Sequence, residues 1–132
     1  MAWKVTFEIY GETYSPQKVN FKFTEENEPN DIATTGRNKG LKYGYGSSTY
    51  LVPKQIERAK IFSHLAKIFV PILKELKDAG AENLHIDIAR IYHLQCNEEL
   101  GIEEISEIAK LNCAISYSAY SGSQEDEMKG FD

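Results

Sequence analysis

Hydrophobic residues recur along this chain at two spacings, and the changes of spacing mark its elements. Trp3, Val5, Phe7 and Ile9 alternate with Lys4, Thr6, Glu8 and Tyr10. That is the period of a strand with one wetted face. Gly11 ends it, and Ser15-Pro16 predicts a helical turn or tight turn. Val19, Phe21 and Phe23 alternate again and predict a second strand. Residues 25–40 are acidic and then rich in Gly and Asn, without periodicity, and predict a long loop. Loops of that length in compact domains tend to carry function. Residues 41–45 and 48–52 predict a hairpin around Gly46-Ser47, because Tyr43, Tyr45, Tyr50 and Val52 suit strands.

After Pro53 the spacing changes to three and four. Ile61, Leu65, Ile68, Ile72 and Leu76, widened by Phe62, Phe69 and Leu73, predict a long helix over residues 54–79. Pro71 removes one backbone bond inside it and should kink it. Gly80 is a good stop. Leu84, Ile86 and Ile88 predict a third major strand running to about Leu94. Ile102, Ile105, Ile108 and Ala109 oppose Glu103, Glu104 and Glu107, which predicts a short amphipathic helix with acids in its first turns and Lys110 at its end. Leu111 to Tyr120 form a closing strand. The order predicts one α+β domain over 1–120, with a long and a short helix packed on one face of a mostly antiparallel sheet, in two layers. Residues 121–132 predict a flexible acidic tail. Phe7, Ile9, Leu65, Phe69, Ile86, Ile88 and Ile115 are the expected core.

Charge changes this picture. The 132 residues carry a net charge of -5 and are 42% apolar, enough to bury a core. The stretch Gly36–Gly46 holds Arg37, Lys39 and Lys42 and no acid, so the rest of the chain sums to -8 (-5 less +3). Acids concentrate in three runs: Glu25, Glu26, Glu28 and Asp31; Glu98, Glu99, Glu103, Glu104 and Glu107; Glu125, Asp126, Glu127 and Asp132. Segregated charge serves recognition and association rate. A pI near 5.3 argues against a general nucleic-acid binder, which needs clustered cations. Cys96 and Cys113 form no disulfide framework and are expected to be reduced. Lys4 and Glu8 interrupt the first apolar run, and no run reaches the roughly 20 residues that span a bilayer. A cytoplasmic protein without membrane contact is expected.

No reaction is legible. His85 and Asp87 share a strand face, but His93 lies roughly 20 Å further along an extended strand, too far to hold the same ion. His93 and Cys96 lack the orienting group and oxyanion site of a nucleophilic pair. The glutamates lie in wet runs, whereas a catalytic pair needs unequal, usually buried environments. Gly40, Gly44 and Gly46 lack phosphate-loop spacing, and no Lys-Ser/Thr follows them. No enzyme, cofactor or metal is expected. Arg37, Lys39 and Lys42 beside Tyr43 and Tyr45 read as a basic, mobile hairpin loop, as a protein interface, or as a site for bases and phosphates.

Phe7-Glu-Ile-Tyr-Gly11 followed by Ser15-Pro16-Gln-Lys-Val19 resembles the opening of a small bacterial family known only as a domain of unknown function. Ile102 to Tyr120 resembles that family's closing unit, a short helix and a strand ending in Tyr. The chain departs from the pattern at Asn20-Phe-Lys-Phe23, which reads as strand, and lacks the hairpin tryptophan, since Trp3 is its only one. A small, acidic, motif-free chain is also similar to the immunity proteins of contact-dependent growth inhibition. The resemblance implies a non-catalytic binding protein that neutralises a cognate toxin domain, such as a nuclease, by masking its active site. The runs at 25–31 and 98–107 are then the expected toxin-facing residues. The other expectation is a small-molecule or nucleotide sensor using the Gly/Tyr-rich basic hairpin.

Overall fold

The structure is a computed structural model that describes residues 2–131. Asp132, the end of the last acidic run, lies outside them. Among the described residues, five strands form one sheet: β1 (Ala2–Gly11), β2 (Glu25–Asn27), β3 (Gly46–Leu51), β4 (Asn83–Tyr92) and β5 (Ala114–Ser121), in the order β2-β3-β1-β4-β5. Every pairing is antiparallel except β4 with β5, so the protein is α+β with a mostly antiparallel sheet.

The long helical stretch is broken as its proline requires. α1 (Ile61–Phe69) gives way to a 3-10 turn at Val70–Ile72, which contains Pro71, and resumes as α2 (Leu73–Asp78). Its start falls later than expected, because residues 54–57 are irregular and a first 3-10 turn spans Arg58–Lys60. α3 (Ile102–Leu111) ends on Asn112, which takes the left-handed conformation (φ 51°). α1, α2 and α3 lie on the sheet face formed by Val5, Phe7, Ile9, Ile86 and Ile88. There Phe62, Leu65, Phe69, Leu76 and Leu111 complete the buried core. The Phe7 and Phe69 rings are 4.5 Å apart.

Further expectations are corrected, the first being the loop over 25–40, whose first three residues form β2 because they pair with β3. Val19, Phe21 and Phe23 form no strand: they run as irregular chain whose alternate side chains pack under α1, with Phe21 and Phe69 rings 5.1 Å apart. Period two there records packing without backbone pairing. The hairpin turn is not at Gly46-Ser47. Gly46 opens β3 opposite Gly11, and a side chain on it would strike the Tyr14 carbonyl oxygen at 1.6 Å. The turn lies instead at residues 34–39, and a ribbon pairs 29–33 with 40–44 through Gly44 N to Pro29 O, Tyr43 N to Asp31 O and Ala33 N to Leu41 O. Ile115, expected in the core, is 37% exposed because β5 is an edge strand and α3 packs mainly on α1. Finally, the expected flexible tail contains α4 (Gln124–Lys129), capped reciprocally by Ser123 and Asp126. It docks: the His93 amide donates to Glu127 at 2.6 Å, Lys54 Nζ donates to the Phe131 carbonyl at 2.8 Å, and Phe131 meets Tyr120 edge-on. No helix among the described residues is long and apolar enough to cross a membrane.

Candidate functional site

Strand parity leaves the second face of the sheet uncovered over most of its extent. Its side chains follow from the register: Glu25 on β2, Ser47, Thr49 and Leu51 on β3, Lys4, Thr6, Glu8 and Tyr10 on β1, His85 and Asp87 on β4, and Ser116, Ser118 and Tyr120 on β5. Glu25, Thr49, Glu8 and His85 form one row across four strands. Asp87 sits opposite Thr6 in the next row. Glu8, Glu25 and Asp87 make no hydrogen bond or ion pair among the described residues, and the nearest cation on this face is Lys4. The face is therefore a shallow polar floor with a surplus of negative charge. A depression of about 510 Å³ lies over Lys4, Thr6, Glu8, Glu25 and Asp87, closed at one end by Tyr120 and Phe131. A second, over Glu8, Thr49 and His85, is flanked by Tyr10 and Tyr45. His85 is held by Ser116, with Nε2 2.5 Å from Oγ.

The ribbon leaves the end of this face. Arg37, Lys39 and Lys42 are exposed on it and unpaired among the described residues, beside exposed Ile32 and Leu41. Tyr43 and Tyr45 pack edge to face, with ring centroids 6.2 Å apart. Gly36, Gly40 and Gly44 all have positive φ, which fits the tight path of the loop.

The acidic runs split by role. Glu25 and Glu26 are exposed on the edge strand. Glu28 accepts from Ser15 Oγ and the Gln17 amide, and Asp31 accepts from the Glu28 amide, so these two order the start of the ribbon. In the second run Glu99 and Glu103 are exposed, while Glu107 pairs with Lys110. Glu98 and Glu104 are paired acids. Glu98 bridges Arg58 and Arg90, and Glu104 binds Arg58 at 2.6 Å and the Gly101 amide at 3.2 Å. Both arginines lie against Trp3, at 5.1 and 5.0 Å from its ring centroid. The two runs lie on different elements: the first on and after the edge strand β2, the second on the segment after β4 and on α3. Beyond Trp3 lies a cavity of about 300 Å³ between Val52, Ile56, Arg58, Met128 and Phe131.

No group of three or more His, Cys, Asp or Glu among the described residues is placed to hold a metal ion. Cys113 is half-buried, and burial pushes its thiol up to about 11. Cys96 lies 3.9 Å from the Tyr117 hydroxyl. The sequence does not single out Glu8, Asp87, Tyr10 or Tyr120 as partner-binding residues. Their signal was available in the polar parity of β1, β4 and β5, but only the register places them side by side. Compared with protein-family models, curated proteins and solved structures, the chain matches none.

Proposed function

We propose that the protein is a non-catalytic binding protein whose open sheet face receives a cationic surface of another protein. The observation that carries this reading is the set of unpaired carboxylates, Glu8 and Glu25 in one row and Asp87 in the next, between the aromatic side chains of Tyr10, Tyr45 and Tyr120. Unpaired carboxylates on one face create a field that speeds encounter with a positive partner. Flanking tyrosines supply contact area with little entropy loss. The resemblance of the sequence supplies the kind of partner: a toxin domain, a nuclease for instance, whose phosphate-binding site is electropositive and can be masked without chemistry. On this reading the protein is a cytoplasmic immunity protein. Glu26, Glu99 and Glu103 act as outlying charges, and the basic ribbon meets an acidic part of the same partner.

A pull-down from the native host tests this reading. The wild-type protein should retain a basic polypeptide that is released as salt rises, since such contacts are screened over about 10 Å at 0.1 M. Retention of an acidic polypeptide or a nucleotide alone would contradict it. One observation favours small-molecule sensing as a second reading. The cavity beside Trp3 is of ligand size at about 300 Å³, though it lies at the start of β1 and not at the Gly/Tyr ribbon.

A further inference from the structure

The two edges of the sheet are protected very differently. β2 is three residues long and carries exposed Glu25 and Glu26. Short, charged edges resist pairing with another chain. β5 is eight residues long, Ala-Ile-Ser-Tyr-Ser-Ala-Tyr-Ser, with no charge, proline or glycine. It pairs only with β4 among the described residues, so its outer edge presents backbone donors and acceptors to solvent. The side chains around that edge are unusually apolar for a surface. Ile115, Tyr117 and Tyr120 are 37%, 40% and 53% exposed, and on the neighbouring α3 Ile105 is 54% and Ile102 87% exposed. The apolar stripe of α3 is thus only half used within the domain: Leu111 is buried and Ile108 half-buried, while Ile102 and Ile105 are not.

We infer that this edge takes a second copy of the same chain, β5 against β5, antiparallel about a twofold axis at Tyr117. The sequence of the strand is self-complementary in that register. Tyr117 meets Tyr117, Ser116 meets Ser118, Ile115 meets Ala119 and Ala114 meets Tyr120. Each bulky side chain faces a small one, apart from the central aromatic pair, and hydroxyls face hydroxyls. Parity keeps Ile115, Tyr117 and Ala119 on the helix side of both copies and Ser116, Ser118 and Tyr120 on the open side. Because the strand is uncharged, the twofold brings no like charges together within it, as pairing of β2 with itself would. The α3 helices, each leading into its β5, then lie on the helix side of both copies. A twofold contact of one patch with itself is the commonest form of homo-oligomer. One sheet would run through both copies, with the acidic open faces side by side. This edge adjoins the proposed partner-binding floor and shares Tyr120 with it, but it works through backbone pairing and not through Glu8, Glu25 and Asp87, so either reading can fail without the other.

Light scattering after size exclusion, over a dilution series up to roughly 100 µM, tests the inference. The wild-type chain should be dimeric at the top of the series and dissociate on dilution. Ala119→Lys places a charge on the edge at an exposed position without a partner. It should give a monomer throughout, with an unchanged circular dichroism spectrum and melting temperature at low concentration. Ser118→Lys reads the same effect from the other face, should either variant lose stability. Glu25→Lys with Glu26→Lys, on the opposite edge, should leave the dimer intact. A wild-type monomer across the whole series would overturn the inference. So would a dimer that survives both lysine substitutions in β5.

Discussion

Trp3 and Arg90 stand directly opposite each other in the β1–β4 register, with the guanidinium carbon 5.0 Å from the centre of the indole. Arg90 is only 2% exposed, yet its Nε has no hydrogen-bond partner, and its charge is met by Glu98 at 3.2 Å and the Asn97 carbonyl at 2.9 Å. A buried charge so incompletely satisfied is a poor source of stability, although removing it alone leaves its partners and the ring unsupported. Arg90→Ala should therefore cost about 3 kcal/mol. Arg90→Met, which fills the space without a charge, should cost under about 1 kcal/mol. Urea unfolding followed by fluorescence of Trp3, the only tryptophan, reports both directly.

The helix face makes a sharper distinction than apolar character alone. Leu65 is fully buried against the sheet, whereas Ile115 lies on the same face but at the sheet edge. Leu65→Ala should cost roughly 2–5 kcal/mol and Ile115→Ala under about 1 kcal/mol, measured as a shift of the urea midpoint.

That contrast marks what the chain reveals by itself. The strand faces of β1 and β4, the proline break after Phe69 and the stop at Gly80 all follow from local chemistry, and all are legible in the sequence. What was misread depends on partners distant in the chain. Phe21 and Phe23 alternate because they reach Phe69. Gly46 is a glycine because the Tyr14 backbone passes over it. Glu98 and Glu104 look like wet acids until Arg58 and Arg90 are placed beside them. The candidate face was half legible: Glu25 and Tyr45 were identified, while Glu8 and Asp87 acquire meaning only from a register that joins residues nearly eighty positions apart.

Tyr14 gives a pH dependence of definite sign. Its hydroxyl lies 2.8 Å from Ser48 Oγ in the core. Burial pushes it up from 10.0 to about 12, opposed by the Ser48 hydrogen bond and assisted by Glu26 and Glu28. The folded state therefore keeps this proton where the unfolded chain loses it. The stability it supports is fully present below about pH 10 and falls as pH rises toward 12, by roughly 2–3 kcal/mol in total. Tyr14→Phe should flatten that alkaline slope. At neutral pH it should cost about 1–3 kcal/mol, because the Ser48 hydroxyl is left buried and unpaired.

Two glycines separate close packing from backbone freedom. Gly46→Ala would drive a methyl group into the Tyr14 carbonyl and should cost about 3 kcal/mol or more. Gly40 has open space around it, and only its φ of +87° resists substitution. Gly40→Ala should cost about 1–2 kcal/mol. Melting temperatures of the pair measure the difference.

The central claim is that the open sheet face, with its unpaired Glu8, Glu25 and Asp87, receives a basic partner. The most direct measurement is parallel capture from the native host with three baits: wild type, the triple reversal Glu8→Lys, Glu25→Lys and Asp87→Lys, and the ribbon reversal Arg37→Glu, Lys39→Glu and Lys42→Glu. All substituted side chains are exposed or half-buried and free of ion pairs among the described residues, so each bait should fold. Glu104 is left untouched because it holds Arg58. The account predicts that one basic polypeptide is held by wild type, lost from the open-face variant and retained at least in part by the ribbon variant. A partner that stays on the open-face variant and leaves only the ribbon variant would contradict it, and would place recognition on the Arg37, Lys39 and Lys42 ribbon instead.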